Sequence, residues 1–370
     1  MGTLNPRPLG ATIQATFRRH VGPVTALAAL AVVVSCGGSS TPQVETPDAT
    51  EAPSAITRRP VTPQVNGEAI RAGISYGPYR EGQSPGGVQP TEEEILEDLQ
   101  ILAPHWNMIR IYSSRGPAEP ILRLIREHDI PMRVMLGAWI DRERDPETGE
   151  EYPEHIAANE AEVAGAIELA NAYPEVVFAV SVGNESQVYW SAHTTRRERL
   201  IELIRRTRAA IQQPVTTADD YNFWNREESQ AVAAEIDFIV LHAYAMWNRQ
   251  QLEDAVSWTA ETVASIRGHH PDLDVYMGET GWATTVHSTG DAATQIVGAA
   301  GEEEQARFYR EFTAWAAEAD QAYFYFEAFD EPWKGGPDPD EVEKHWGLFN
   351  VDRTPKLAMR DAVAAVTAEE

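Results

Sequence analysis

Val176-Val177-Phe178-Ala179-Val180-Ser181-Val182-Gly183-Asn184-Glu185 is apolar and rich in β-branched residues, then opens through a glycine onto an amide and a carboxylate. Such a run reads as a strand buried on both faces, as in a parallel sheet covered by helices. Working outward, seven more runs of this kind are predicted as strands: Ile70–Tyr76, Met108–Tyr112, Met132–Ala138, Val215–Ala218, Phe238–Ala243, Val275–Gly278 and Tyr323–Ala328. Amphipathic stretches fill the gaps. The clearest is Glu92 to Leu102, preceded by Thr91 and carrying Glu94 three positions on, the pattern of a capping box. Thr195–Ile211, Leu252–Ile266, Glu302–Ala317 and a last segment from about Leu357 to Ala368 repeat the three- and four-residue apolar spacing of helices.

Eight strand–helix pairs in about 300 residues match a closed (β/α)8 barrel. An open doubly wound sheet is the alternative, and it wants a glycine-rich phosphate loop after the first strand. Gly73-Ile74-Ser75-Tyr76-Gly77-Pro78 carries neither the GxGxxG nor the GK[ST] spacing. The expected fold is therefore α/β, a single TIM barrel over residues 67–370. Functional groups of such a barrel sit at the carboxyl ends of its strands.

The preceding residues read differently. Residues 1–35 carry Arg7, Arg18 and Arg19, no acid, and an apolar run from Val21 to Val34, too short for comfortable spanning. This is the pattern of a secretory leader. It ends at Ser35-Cys36-Gly37, and Cys36 is the only cysteine among the 370 residues, so no intramolecular disulfide is available. The site resembles a bacterial lipobox, which implies cleavage before Cys36, its lipidation, and an exported cell-envelope lipoprotein held by acyl chains alone. Gly37, where inner-membrane retention usually has Asp, favours an outer membrane if one exists. Residues 36–66, rich in Ser, Thr, Pro and acids, are expected to be a disordered tether. Removing the leader takes the formal charge from −27 to −30, which repels nucleic acid and anionic surfaces and favours a neutral substrate.

Two strand ends carry glutamates: Glu185 after the fourth, and Glu279 after the seventh in Met277-Gly278-Glu279-Thr280-Gly281-Trp282. In a closed barrel these ends face each other across the mouth. An acetal leaves only when its oxygen is protonated, so one carboxyl must keep a proton while another attacks or activates water. Two acids with separated pKa values supply both roles without a metal or other cofactor. The histidines, His242 among them, show no metal-ligand spacing.

The chain here resembles glycoside hydrolase family 17, the β-1,3-glucanases and glucanosyltransferases, over about residues 70–358. The resemblance is carried by Gly73-Ile74-Ser75-Tyr76-Gly77, Arg110-Ile111-Tyr112, Val182-Gly183-Asn184-Glu185, Glu279-Thr280-Gly281-Trp282, Phe329-Asp330-Glu331-Pro332-Trp333-Lys334 and Glu343-Lys344-His345-Trp346-Gly347-Leu348-Phe349. It implies Glu185 as acid/base, Glu279 as nucleophile, retention of anomeric configuration, and Asn184 near the sugar 2-hydroxyl. Glu331, Lys334 and Glu343 would form a charged network beside the cleft. A rim of aromatic rings suits sugar faces, and Tyr76, Tyr112, Tyr244, Trp282 and Trp333 are the expected substrate contacts. The segment Asp141–His155 reads as an acidic loop bordering the cleft. The expected partner is a β-glucan, and hydrolysis, glucan transfer, another β-linkage or mere glucan binding remain open at this point.

Overall fold

The computed structural model describes residues 56–290 and 292–362. Within them, eight parallel strands close into a barrel: β1 Ala72–Ser75, β2 Met108–Ile111, β3 Arg133–Ala138, β4 Val177–Asn184, β5 Val215–Asp220, β6 Ile239–His242, β7 Val275–Glu279 and β8 Tyr323–Tyr325. Each pairs with the next in chain order, and β8 closes on β1 with Tyr323 opposite Ala72 and Tyr325 opposite Ile74. All eight predicted strands are present; the eighth is shorter than expected and the fourth and fifth extend two residues further.

The described helices are α1 Glu92–Leu102, α2 Ala118–Glu127, α3 Pro153–Ala172, α4 Arg197–Ala210, α5 Tyr221–Trp224, α6 Gln230–Ala233, α7 Leu252–His269, α8 Ala292–Gln295 and α9 Glu302–Glu318. Residues 357–362 are helical, and the rest of the predicted last helix lies outside the described residues. The capping box is formed: the Glu94 amide donates to Thr91 Oγ1 at 3.2 Å, and the Thr91 amide donates to Glu94 Oε2 at 2.8 Å. A cap of this kind stabilises a helix by about 1 kcal/mol.

The two-residue period of each strand sorts side chains between two cores. Met108, Met135, Ala179, Ala218, Val240, Tyr276 and Phe324 fill the barrel interior. Ile109, Leu136, Val180, Leu241 and Met277 face the helices. The interior is packed with apolar side chains toward the amino ends of the strands and turns polar toward the mouth.

One expectation is corrected. Residues 56–66 are not tether: Val61 and Val65 are buried, and Gln64–Val65 pairs with Glu68–Ala69 in a small hairpin. Val61 joins the interior cluster at the amino ends of the strands, and its carbonyl accepts from the Tyr276 hydroxyl at 3.2 Å. The Arg59 amide donates to Asp237 Oδ1, and its guanidinium donates to the carbonyls of Gln213 and Arg208. Main-chain bonds and the guanidinium groups of Arg58, Arg59 and Arg208 hold this segment, so it shows no apolar periodicity. The expected leader, Cys36 and the remainder of the tether lie outside the described residues.

Candidate active site

Strict alternation brings Arg110, two residues after Met108, into the mouth, where it is 2% exposed. Its Nη1 donates to Glu279 Oε1 at 2.8 Å and to the Gly278 carbonyl at 3.0 Å, and Nη2 donates to Asn184 Oδ1 at 2.6 Å. A guanidinium has only donors, so it turns the Asn184 oxygen toward itself and leaves the amide NH2 for the open mouth. Gly278 leaves room for this: a Cβ there would stand 2.2 Å from Val240 Cγ1 and 3.4 Å from Arg110 Nη1.

Glu279 would follow Met277 toward the helices if the alternation continued. A register irregularity between Leu241 and His242 pairs His242 with Glu279 instead, and the carboxylate enters the mouth. Tyr112 donates to its Oε1 at 2.9 Å and Tyr244 to its Oε2 at 2.7 Å. Burial pushes the Glu279 carboxyl up, but His242, Arg110 and the two tyrosine hydroxyls outweigh it and hold the group below the ordinary carboxylate range.

Glu185 reaches the mouth by a second irregularity, between Ser181 and Asn184 on β4, with Gly183 at φ +82° and Glu185 at +49°. Fully buried His242 stands between the glutamates: Nδ1 is 3.1 Å from Glu185 Oε1, and Nε2 is 3.0 Å from Arg110 Nη1 and 3.3 Å from Glu279 Oε1. A neutral ring accepts from Arg110 at Nε2, and a cationic ring donates from both nitrogens. In either state the Nδ1 proton faces Glu185. One oxygen of each glutamate and a His242 nitrogen lie within 4.8 Å of one another. That trio has the donor types of a metal site, but the Arg110 guanidinium already supplies the positive charge there, within hydrogen-bond distance of Glu279 and His242.

Beside this centre lies a second charged group. Lys334 Nζ contacts both Glu327 oxygens at 2.8 and 2.6 Å and Glu331 Oε2 at 2.8 Å, and lies 4.4 Å over the Phe326 ring. Burial and the charges of Glu185, Glu341 and Glu279 push the Glu343 carboxyl to about 7 against the pull of Lys334.

A family model described as the BtgE/BtgC glycoside hydrolase domain matches residues 73–347. The chain belongs to this family. It is a glycoside hydrolase, and the barrel mouth is its candidate active site. A glucan 1,3-beta-glucosidase of Arthroderma benhamiae is 27% identical over 313 residues, which cover 80% of this chain and 92% of that one. The crystal structure of an endo-laminarinase from Formosa is similar with a TM-score of 0.69 and 26% identity, covering 80% of this chain and 87% of that one. A glycoside hydrolase family 17 β-1,3-glucanosyltransferase from Rhizomucor miehei follows at 0.60 and 25%, covering 77% and 95%.

In this glycosidase Glu185, Glu279, Asn184, Tyr112 and Tyr244 come together as the sequence led us to expect. Trp333 is 39% exposed, with its Nε1 donating to Glu331 Oε1 at 3.0 Å and its ring edge-on to Tyr79. Glu331 and Lys334 pair, and Gly77 is small because a Cβ there would stand 2.2 Å from Glu331 Oε1. Two expected substrate contacts are corrected. Tyr76 is buried with its hydroxyl on Asp98, which Arg353 and Arg80 also hold. Trp282 is fully buried, donates to the Ala299 carbonyl at 2.9 Å and packs on Phe308. Both adjoin motif residues in sequence, but their side chains point into protein. The acidic loop ends at Tyr152, since α3 starts at Pro153; Asp141 meets His193 at 2.5 Å, and Arg142 donates to the Ser191 carbonyl, which ties it to the loop after β4.

Sequence reasoning missed His242 and Glu327. His242 follows Val240 by two along β6, so an ionisable side chain at the interior end of an otherwise apolar strand was a readable signal. Glu327 offered none beyond its place after β8.

Proposed function

We propose that the chain is a family 17 enzyme that cleaves β-1,3-glucosidic bonds of glucan with retention of configuration, Glu279 as nucleophile and Glu185 as acid/base. The observation that carries this reading is the pair of carboxylates with oxygens within 4.8 Å, one ringed by Arg110 and tyrosine hydroxyls, the other beside further acids. Retaining glycosidases hold their carboxyls about 5–5.5 Å apart, whereas inverting ones leave about 6.5–9.5 Å for a water. Glu279, kept ionised, attacks the anomeric carbon while Glu185 gives its proton to the leaving oxygen. The glycosyl–Glu279 ester forms, and Glu185 then takes a proton from the incoming hydroxyl. His242 holds Glu185 Oε1, which leaves Oε2 to carry the proton. Asn184 offers its NH2 to the 2-hydroxyl, while Trp333 and the Glu331–Lys334–Glu343 group border the sugar path. Glucan transfer uses the same intermediate with a sugar hydroxyl in place of water, and the similar Rhizomucor miehei structure, a glucanosyltransferase, supports it as the second reading.

The test is a time course on laminari-oligosaccharides followed by proton NMR and chromatography. The β-anomer should form first. Products longer than the substrate assign transfer, shorter ones alone assign hydrolysis, and first-formed α-anomer rejects the mechanism. Export with acylation at Cys36 is part of the proposal; Cys36→Ala should release the protein from membranes, and unchanged partitioning would remove the anchor from it.

A further inference from the structure

The turn that carries Glu185 is held from the neighbouring strand. A φ of +49° is sparsely populated by residues with a side chain, so surrounding bonds must hold it. The Glu185 amide donates to the Ala218 carbonyl at 2.9 Å. Two residues on, the Gln187 amide donates to Oδ2 of Asp219 at 2.8 Å, and the Asp220 amide donates to Oδ1 of the same carboxyl at 2.9 Å. Asp219 is fully buried, and both its oxygens meet N–H donors.

We propose that Asp219 is a positioning residue for the acid/base: through the Gln187 and Asp220 amides its buried carboxyl pins the turn that aims Glu185. The proposal rests on the reading of Glu185 given above. Burial and the Glu185 charge push the Asp219 carboxyl well up, against the amides of Asp220 and Gln187. The groups that face Glu185 are Asp219 and Asp220 from β5, His242 from β6, Glu279 from β7 and Glu343 from the loop after β8, with Arg110 of β2 reaching its neighbour Asn184. Among these only Asp219 also holds the backbone of the turn. Asp220, pushed up to about 6 by burial and by Glu185, spends an oxygen on the Asn222 amide at the start of α5.

Loosening the turn misaims the group that protonates the leaving oxygen, so the loss should fall on substrates that need that proton. Asp219→Asn, which turns an NH2 donor toward one of the two amides, should lower kcat/KM roughly tenfold on laminari-oligosaccharides. A dinitrophenyl β-laminaribioside, whose leaving group needs no proton, should lose less than about threefold. Equal losses on both substrates, or none on either, would overturn the proposal and leave Asp219 a structural support. If the variant does not fold, amide hydrogen exchange of the wild-type full chain decides the matter. The Glu185 and Gln187 amides should be protected, and exchange as fast as in an exposed loop would sink the idea. That measurement needs no substrate, so a wild type inert on β-1,3-glucan would reject the glucanase reading without deciding this one.

Discussion

Glu279 and Glu185 share one barrel mouth and differ in what surrounds them. Glu279 is 5% exposed and is met by a guanidinium, two tyrosine hydroxyls and His242. The Glu185 side chain is 28% exposed, shares His242 at 3.1 Å, and otherwise has Asp219, Asp220 and Glu343 for neighbours. Positive partners and hydroxyl donors favour the carboxylate form of Glu279. In the proposed mechanism that is the group that attacks.

The sharpest way to break this contrast is to neutralise each glutamate in turn. Glu279→Gln should lower kcat on the order of 10⁴-fold or more on every substrate, while calorimetry still finds oligosaccharide binding. Glu185→Ala should lose about 10²–10⁴-fold on glucan yet keep most of its kcat/KM on the dinitrophenyl substrate. A reversed pattern would exchange the two roles.

Arg110→Met tests the source of the charge on Glu279. Leaving a buried carboxylate without its partner costs about 3–5 kcal/mol, read as a lower midpoint of thermal unfolding. The sign of the pH effect follows from the depressed pKa of Glu279. Its contribution to stability is present above the unfolded pKa and is lost as pH falls through the lower folded pKa. The acid limb of wild-type kcat/KM should accordingly lie below the ordinary carboxylate range, and Arg110→Met should move it up. An unmoved limb would take Arg110 out of the account.

The smallest effects separate two tyrosines that sequence alone treats alike. Tyr244→Phe removes a hydroxyl from Glu279 Oε2 and should lower kcat/KM about tenfold with little change in stability. Tyr76→Phe removes one from Asp98 and should cost about 1 kcal/mol of stability with kcat/KM unchanged. Equal kinetic effects would mean that Tyr76 also reaches the substrate.

The barrel was legible because burying a strand on both faces demands mostly apolar residues, as in Val176–Val182 and Met132–Ala138, and the intervening helices show their own period. The capping box at Thr91 was legible for the same local reason. Residues 56–66 were not, because a proline- and threonine-rich segment can pack through main-chain bonds, and Val61 buries itself against Tyr276 and Phe238, far along the chain. At the site, Glu185 and Glu279 were found from their strand ends. Tyr76 and Trp282 were misassigned because nearness to a motif in sequence says nothing of where a side chain points.

By itself the sequence determined the order of elements, the closed-barrel class and which strand ends carry acids, since these follow from periodicities of two and 3.6 residues. Only the tertiary structure decided that Glu279 turns inward, that Arg110 and His242 meet it, and that Asp219 holds the turn of Glu185. Those outcomes depend on register irregularities at two strand ends and on partners 32 to 169 residues apart, such as Asp219 with Gln187 and Arg110 with Glu279, which no local pattern encodes.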